Sequence, residues 1–564
     1  MGLHGALQSY ELIESQYKLV IFATLLSLPG LVEAPSVPYF VPFVGNLLAF
    51  ATNAYGILSS ITRDYNGIPV KLKLGPEKVY IITGVENIRH IFNKSRELST
   101  KALTIKVLVH AFGMPSSDTK VYEDDDSGLY LKPAPGSNVA PVMRLLHKAH
   151  HQFSKELTGT SLAELSRQFV RGLALQINRK GEEIADSWIE LPDIFEFVRD
   201  ESFTATTTAL CGDHILRLNP DFASNFWEFD SCLRLMLQRV PRLFIPKAYA
   251  IRDKCQKQVA IWHAFADKHV DCCDESLSDV LWEPFYGHRL MRERAKMYKA
   301  THKFSDVGRA ASDLGMIWGA NANVVPSASW SLIYILSDES LTARLREEIA
   351  PAFPDGTVES VDMAKLNSCP LLQSVISEVL RLNVAVMINR TSMVSKFRIG
   401  NWFVKPDKTM LICPYFSHRD EAVWNTGRTL PNGKQEHPLD DFWAERFLEY
   451  PNDPLSGPTK KTADLEKLTV AQADIFHDDK EAKFTLESLK GIYLPFGGGT
   501  NMCPGQHYAK NEMVLVVAML LWAFDIEFLD PRRAKLTRQN MKAFPSSTLR
   551  PDRENPIRLR VRRL

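Results

Sequence analysis

The chain has 564 residues, of which 45% are apolar and 24% charged, and a net charge of +1. This is an ordinary globular composition, above the usual size of one simple core, and a balance so near zero gives no reason to expect a nucleic acid or other polyanion as partner. Eight cysteines are scattered, with Cys272 and Cys273 adjacent; no C-x-x-C pair or Cys/His cluster points to zinc, and no framework points to a disulfide-rich secreted fold, so reduced thiols in a cytosol-facing protein are expected.

Residues Leu19–Val32 are apolar, after Lys18 and before Glu33. As a helix they would span about 21 Å at 1.5 Å per residue, short of the roughly 20 residues a spanning helix needs, and Pro29-Gly30 interrupts them. A cleaved signal peptide, a short or tilted anchor and a structural helix all fit. No small-x-small cleavage site stands in a clear place, which counts against the first. Spaced prolines from Pro35 to Pro42 then make a stiff, extended linker. Val70–Leu74 alternates and Val79–Ile82 is β-prone around a Gly75-Pro76 turn, which predicts a hairpin. Residues 116–138, with the acidic run Glu123–Asp126, read as a solvated loop. Pro141 opens a helix over 142–156 that carries Arg144, His147, Lys148, His150 and His151. Helical periodicity prevails from Leu162 to about Leu281.

A long apolar helix is predicted over 305–337, with Gly308, Gly315 and Gly319 admitting close approach and Pro326 imposing a kink. Its centre reads Trp318-Gly319-Ala320-Asn321-Ala322-Asn323. In a helix from Pro370, Glu378 and Arg381 fall on one face, where they can pair. A hairpin is expected over 397–410. Residues 427–440 and 451–490 read as polar surface insertions, and 532–564 as carrying two short strands. Near the end, Phe496-Gly497-Gly498-Gly499-Thr500-Asn501-Met502-Cys503-Pro504-Gly505 lies between a strand-like run and an apolar helix over 512–524. Glycines let that loop lie against a flat surface, and the helix N-terminus with the loop N–H groups is expected to lower the Cys503 pKa.

This stretch resembles the haem-ligand loop of cytochromes P450, Phe-Gly-x-Gly-x-x-x-Cys-x-Gly, matching at Phe496, Gly497, Gly499, Cys503 and Gly505. The resemblance implies a mainly α fold with a smaller β region, and haem b buried between the long central helix and the loop, with the Cys503 thiolate as axial ligand. Asn501 stands where a basic residue usually serves a haem propionate. His507 is read as a surface or second-shell histidine. The 142–156 helix would offer basic groups to the propionates, although the family's usual tryptophan is absent. Phe442-Trp443-Ala444-Glu445-Arg446-Phe447 would supply Arg446 to a buried network with Glu378 and Arg381. Ala322 stands where the family has an acid and Asn323 where it has a threonine that supports proton delivery. That exchange, and the Asn389-Arg390-Thr391 ending that would put Arg390 on a propionate, are similar to the sterol 7-alpha-hydroxylase and prostacyclin synthase branch.

The expected organisation is an anchor segment over 1–34 and a catalytic domain over 35–564, held at the endoplasmic reticulum membrane and facing the cytosol. The function implied is insertion of one oxygen atom from O2 into an apolar, polycyclic lipid, terpenoid or steroid-like substrate. No flavin or nicotinamide fingerprint is present, so electrons would come from NADPH only indirectly, through a partner NADPH–P450 reductase. A haem-thiolate isomerase needing no reductase and a non-catalytic haem sensor stay open as alternatives.

Overall fold

The computed structural model describes residues 32–185, 187–461 and 478–563. The apolar run expected as an anchor lies, up to residue 31, outside the described residues, as do 462–477 of the second insertion. Among the described residues no helix is long and apolar enough to cross a membrane.

The fold is mainly helical, as expected, with short strands gathered at its margins. Five helices position the site: α1 (Leu145–Glu156), α2 (Asp306–Asn321), α3 (Val324–Leu336), α4 (Pro370–Asn383) and α5 (Gln506–Ala523). α5 is buried all round from Met513 to Leu521, so it has no polar face and can exist only inside other helices. It packs in the main core with α3 and α4. Five strands form one sheet: β1 (Val70–Leu74), β2 (Glu77–Ile81), β3 (Leu98–Ser99), β4 (Ile388–Ser392) and β5 (Thr409–Ile412), in the order β1-β2-β5-β4-β3. β1 and β2 are the predicted hairpin, paired Val70 to Ile81. The second hairpin is also present, Phe397–Ile399 against Trp402–Val404, and Val32–Glu33 adds to its edge in parallel.

Three expectations change. Ser116–Asp124 is a helix, with Asp118, Val121 and Tyr122 buried. Asp118 in it and Asp125 just after it are put to use: Asp118 accepts from the Ser305 hydroxyl at 2.7 Å and Asp125 from Leu146 N at 3.2 Å, so each holds the start of a helix. The predicted 305–337 helix is two helices, parted at Ala322-Asn323. Pro326 is the cause, because it has no N–H for the Ala322 carbonyl and its ring clashes with that carbonyl. Residues 532–563 contribute one strand, Ile557–Val561, which pairs with Phe524–Phe528 and Ile189–Leu191.

Candidate functional site

A cavity of about 280 Å³ opens where α2 gives way to α3. Leu380, Val384, Val386 and Ile388 wall one side, Phe496, Gly497, Asn501 and Cys503 another, and Thr548 of the C-terminal loop closes it. The walls are largely apolar. Gly319 faces it from α2, and a Cβ there would meet nothing within 4 Å, so the missing side chain leaves flat open space against the backbone.

The loop is shaped by its own hydrogen bonds. Gly497 N donates to Leu494 O at 3.1 Å, Met502 N to Gly499 O at 3.1 Å, and Cys503 N to Phe496 O at 2.9 Å. Gly497 and Gly499 take φ of 76° and 68°, the left-handed region that penalises other residues. Gly498 is needed for space, since a Cβ there would lie 2.4 Å from the Phe92 ring. Gly505 caps α5 and leaves ordinary contact distance, 3.9 Å, between its Cβ position and the Cys503 sulfur. Cys503 shows its surface to the cavity, yet the surrounding protein is dense enough that burial pushes the thiol pKa up, against the lowering effect of the Gly505 N–H. The loop N–H acts in the expected lowering sense, and burial outweighs it.

Arg390 lines the same cavity from β4 and is 2% exposed. Its Nη2 donates to Gly498 O at 2.6 Å and its Nη1 to Asn389 O at 2.6 Å, while Nε has no partner. No carboxylate pairs with it among the described residues, and burial lowers its pKa to about 10. Asn501 Oδ1 accepts from Thr100 at 3.4 Å. On the far wall, Asn323 Oδ1 accepts from Thr548 N at 3.0 Å and from the Thr548 hydroxyl at 3.2 Å. Its amide N–H2 is the group left to donate. Ala322 is buried at 3% and does not reach the cavity.

The family model for cytochrome P450 matches residues 144–428 and 476–553. The chain belongs to the cytochrome P450 family. It is 34% identical over 95% of its length, and 89% of the other's, to a protein of Humicola fuscoatra named cytochrome P450 monooxygenase fsoE. To cytochrome P450 monooxygenase efuG of Hormonema carpetanum it is 32% identical over 95% of this chain and 91% of that one. More distantly, it is 22% identical to the cholesterol 7-alpha-monooxygenase of Cricetulus griseus, covering 88% of each.

The P450 cofactor is haem b, and the cavity fits it. A largely apolar cavity, a cysteine in its lining and a buried guanidinium without a counter-charge suit a porphyrin, its iron and a propionate. Behind the slot lies the predicted charge network. Arg381 Nε and Nη2 donate to Glu378 at 2.7 and 2.9 Å, and Arg446 Nε at 3.0 Å. All three side chains are wholly buried. Burial pushes the Glu378 carboxyl up, but the two arginines outweigh it and hold it below its ordinary value.

The α1 histidines do not line the cavity. His150 reaches the loop, its Nε2 lying 3.3 Å from Thr500 O, and His147 Nδ1 lies 2.8 Å from Leu129 O. Arg144 turns away, to Ser127, Tyr130 and Leu131. His507 is exposed and away from the cavity. Three contributors escape a sequence reading. Ser95 accepts from Thr500 N at 3.2 Å, Thr548 holds Asn323, and His418 accepts from Leu494 N at 2.8 Å. They act across 405, 225 and 76 residues, and no local spacing marks them.

Proposed function

We propose that this P450 is a haem-thiolate monooxygenase in which Cys503 is the axial ligand, Arg390 binds a propionate, and the substrate is an apolar, polycyclic lipid, terpenoid or steroid-like molecule. The observation that carries the reading is a cysteine and an uncompensated buried arginine lining one largely apolar cavity. When bound, haem supplies the oxygen chemistry, with the thiolate's electron density favouring O–O cleavage. The chain's own residues orient and enclose. Phe496 O and Gly505 N–H fix the cysteine, Val384 to Ile388 offer the substrate an apolar wall, and Asn323 offers one N–H donor opposite the sulfur's wall. The steroid-like substrate is supported by the likeness to the cholesterol 7-alpha-monooxygenase of Cricetulus griseus.

Electrons from NADPH by way of a reductase complete the reading, with a catalytic domain over 35–564 and an anchor over 1–34 at the endoplasmic reticulum membrane. Two exposed apolar groups support the membrane side: Phe40, Phe43 and Leu48 near the start, and Leu243 and Phe244 in a loop, with Phe43 86% and Leu243 84% exposed. The segments that carry them are tied together: Arg234, on the helix before the loop, donates to Ala51 O at 3.3 Å. Binding to lipid vesicles should fall in a Phe43→Ser, Leu243→Ser double variant.

The ligand assignment is tested by Cys503→His, which should abolish the red-shifted Soret band of the reduced carbonyl complex; retention of the band refutes it. A lipid and terpenoid library, followed by the low-spin to high-spin shift, tests the substrate class. One observation favours the isomerase alternative: no Asp, Glu or His is among the described residues lining the cavity. Turnover of a peroxide substrate with neither NADPH nor O2 supports it, and strict dependence on both sinks it.

A further inference from the structure

We infer that His418 is a positioning residue that fixes the cysteine loop to the buried Glu378–Arg381 pair through one hydrogen bond to Leu494. The inference rests on Cys503 being the haem ligand. A backbone N–H can only donate, so the 2.8 Å bond from Leu494 N makes His418 Nε2 the acceptor. Nδ1 therefore carries the ring proton and donates to Arg381 O at 2.9 Å. That carbonyl belongs to the last turn of α4, where carbonyls have no partner within the helix. Arg381 Nη1 returns a bond to His418 O at 2.8 Å, so residues 381 and 418 hold each other at two points.

The ring is wholly buried, its centroid 5.5 Å from that of Tyr493 and 6.3 Å from that of Trp424, and burial lowers its pKa to about 3, so the ring stays neutral. On the loop side, Leu494 is 2% exposed and lines the cavity. Its carbonyl accepts from Gly497 N, and the next carbonyl but one, that of Phe496, accepts from Cys503 N. The run of bonds therefore passes from Glu378 through Arg381 and His418 to Leu494, two residues from the atom that holds the cysteine. Without the imidazole, Leu494 N–H is buried with no partner, and the strand entering the loop must shift to find one.

The test compares the holoenzyme with His418→Gln and His418→Asn. A glutamine carbonyl reaches about as far as Nε2 and can accept from Leu494; an asparagine amide reaches only the Nδ1 position and can serve Arg381 alone. We expect His418→Gln to keep the red-shifted band of the reduced carbonyl complex. In His418→Asn the ratio of red-shifted to blue-shifted form should fall roughly tenfold, the size of one lost buried acceptor. A band kept in both variants, with only the melting temperature lowered, or a band lost in both, overturns the inference. Hydrogen exchange on the unaltered holoenzyme gives a second check: the Leu494 amide should exchange as slowly as the α4 core amides, and fast exchange overturns it. Absence of the red-shifted band in the unaltered protein would refute the Cys503 assignment instead.

Discussion

Glu378→Gln keeps the shape of a wholly buried side chain and removes its charge. In the native protein the carboxylate accepts three bonds from two guanidinium groups and a fourth, at 3.3 Å, from Trp443 N. The amide has one oxygen left to accept, and its NH2 now points at N–H groups. Two buried cations lose their only counter-charge among the described residues. Breaking a buried pair from one side costs about 3–5 kcal/mol, against a whole stability of about 5–15 kcal/mol. The variant should therefore unfold at far lower urea, with haem content falling in parallel. An apolar triple replacement, Glu378→Leu, Arg381→Met and Arg446→Met, should not restore stability. The arginines also serve the carbonyls of His418, Leu439 and Asn425, and those three would be left unpaired. A loss below about 1 kcal/mol in Glu378→Gln, the range of an exposed pair, would refute this reasoning, as would full recovery in the triple variant.

Arg390→Leu should remove the cavity's buried cation and let haem be lost to apomyoglobin at least tenfold faster, about 1.4 kcal/mol or more, with Arg390→Lys between the two. Asn323→Ala leaves the buried Thr548 N–H without an acceptor and should cost about 1–3 kcal/mol in denaturant unfolding, while Thr548→Val keeps that bond and should cost less. Glu512 on α5 is 1% exposed, and burial raises its pKa to about 8, with Thr206 donating to it at 2.6 Å. A raised carboxyl binds its proton in the folded state where the unfolded chain has released it, so its contribution is full below about pH 4.3 and is lost as pH rises through 8. Denaturant titrations at pH 5 and pH 8 should then show Glu512→Gln gaining on the unaltered protein at the higher pH; an equal gap at both would refute the assignment.

The cysteine loop and the charge pair were legible because each is local: three glycines and a cysteine within ten residues, and two charges one turn apart. The break at Ala322-Asn323 was half legible. Pro326 announces a kink, but only the structure shows that Thr548 then grips the parted end. Of the 116–138 segment, the solvated reading holds for Glu123, Asp124 and Asp126 and the loop reading from 125 on, but Asp118 and Asp125 are buried and serve helix starts that lie 187 and 21 residues away in the chain. At the thiol the lowering by the loop N–H is legible and the opposing burial is not, for a related reason. Dipoles can be read from the sequence, but the density of atoms around a sulfur cannot.

The grip of Asn323 on Thr548 is asymmetric, and that matters to anyone redesigning the enzyme. Position 323 must present an acceptor, because the amide it serves belongs to the backbone and survives every substitution at 548 except proline. Position 548 gives up only a hydroxyl when changed, yet its side chain faces the same slot. A combinatorial library seeking new selectivity should therefore diversify 548 freely, proline apart, and hold 323 to side chains with a carbonyl or carboxylate oxygen.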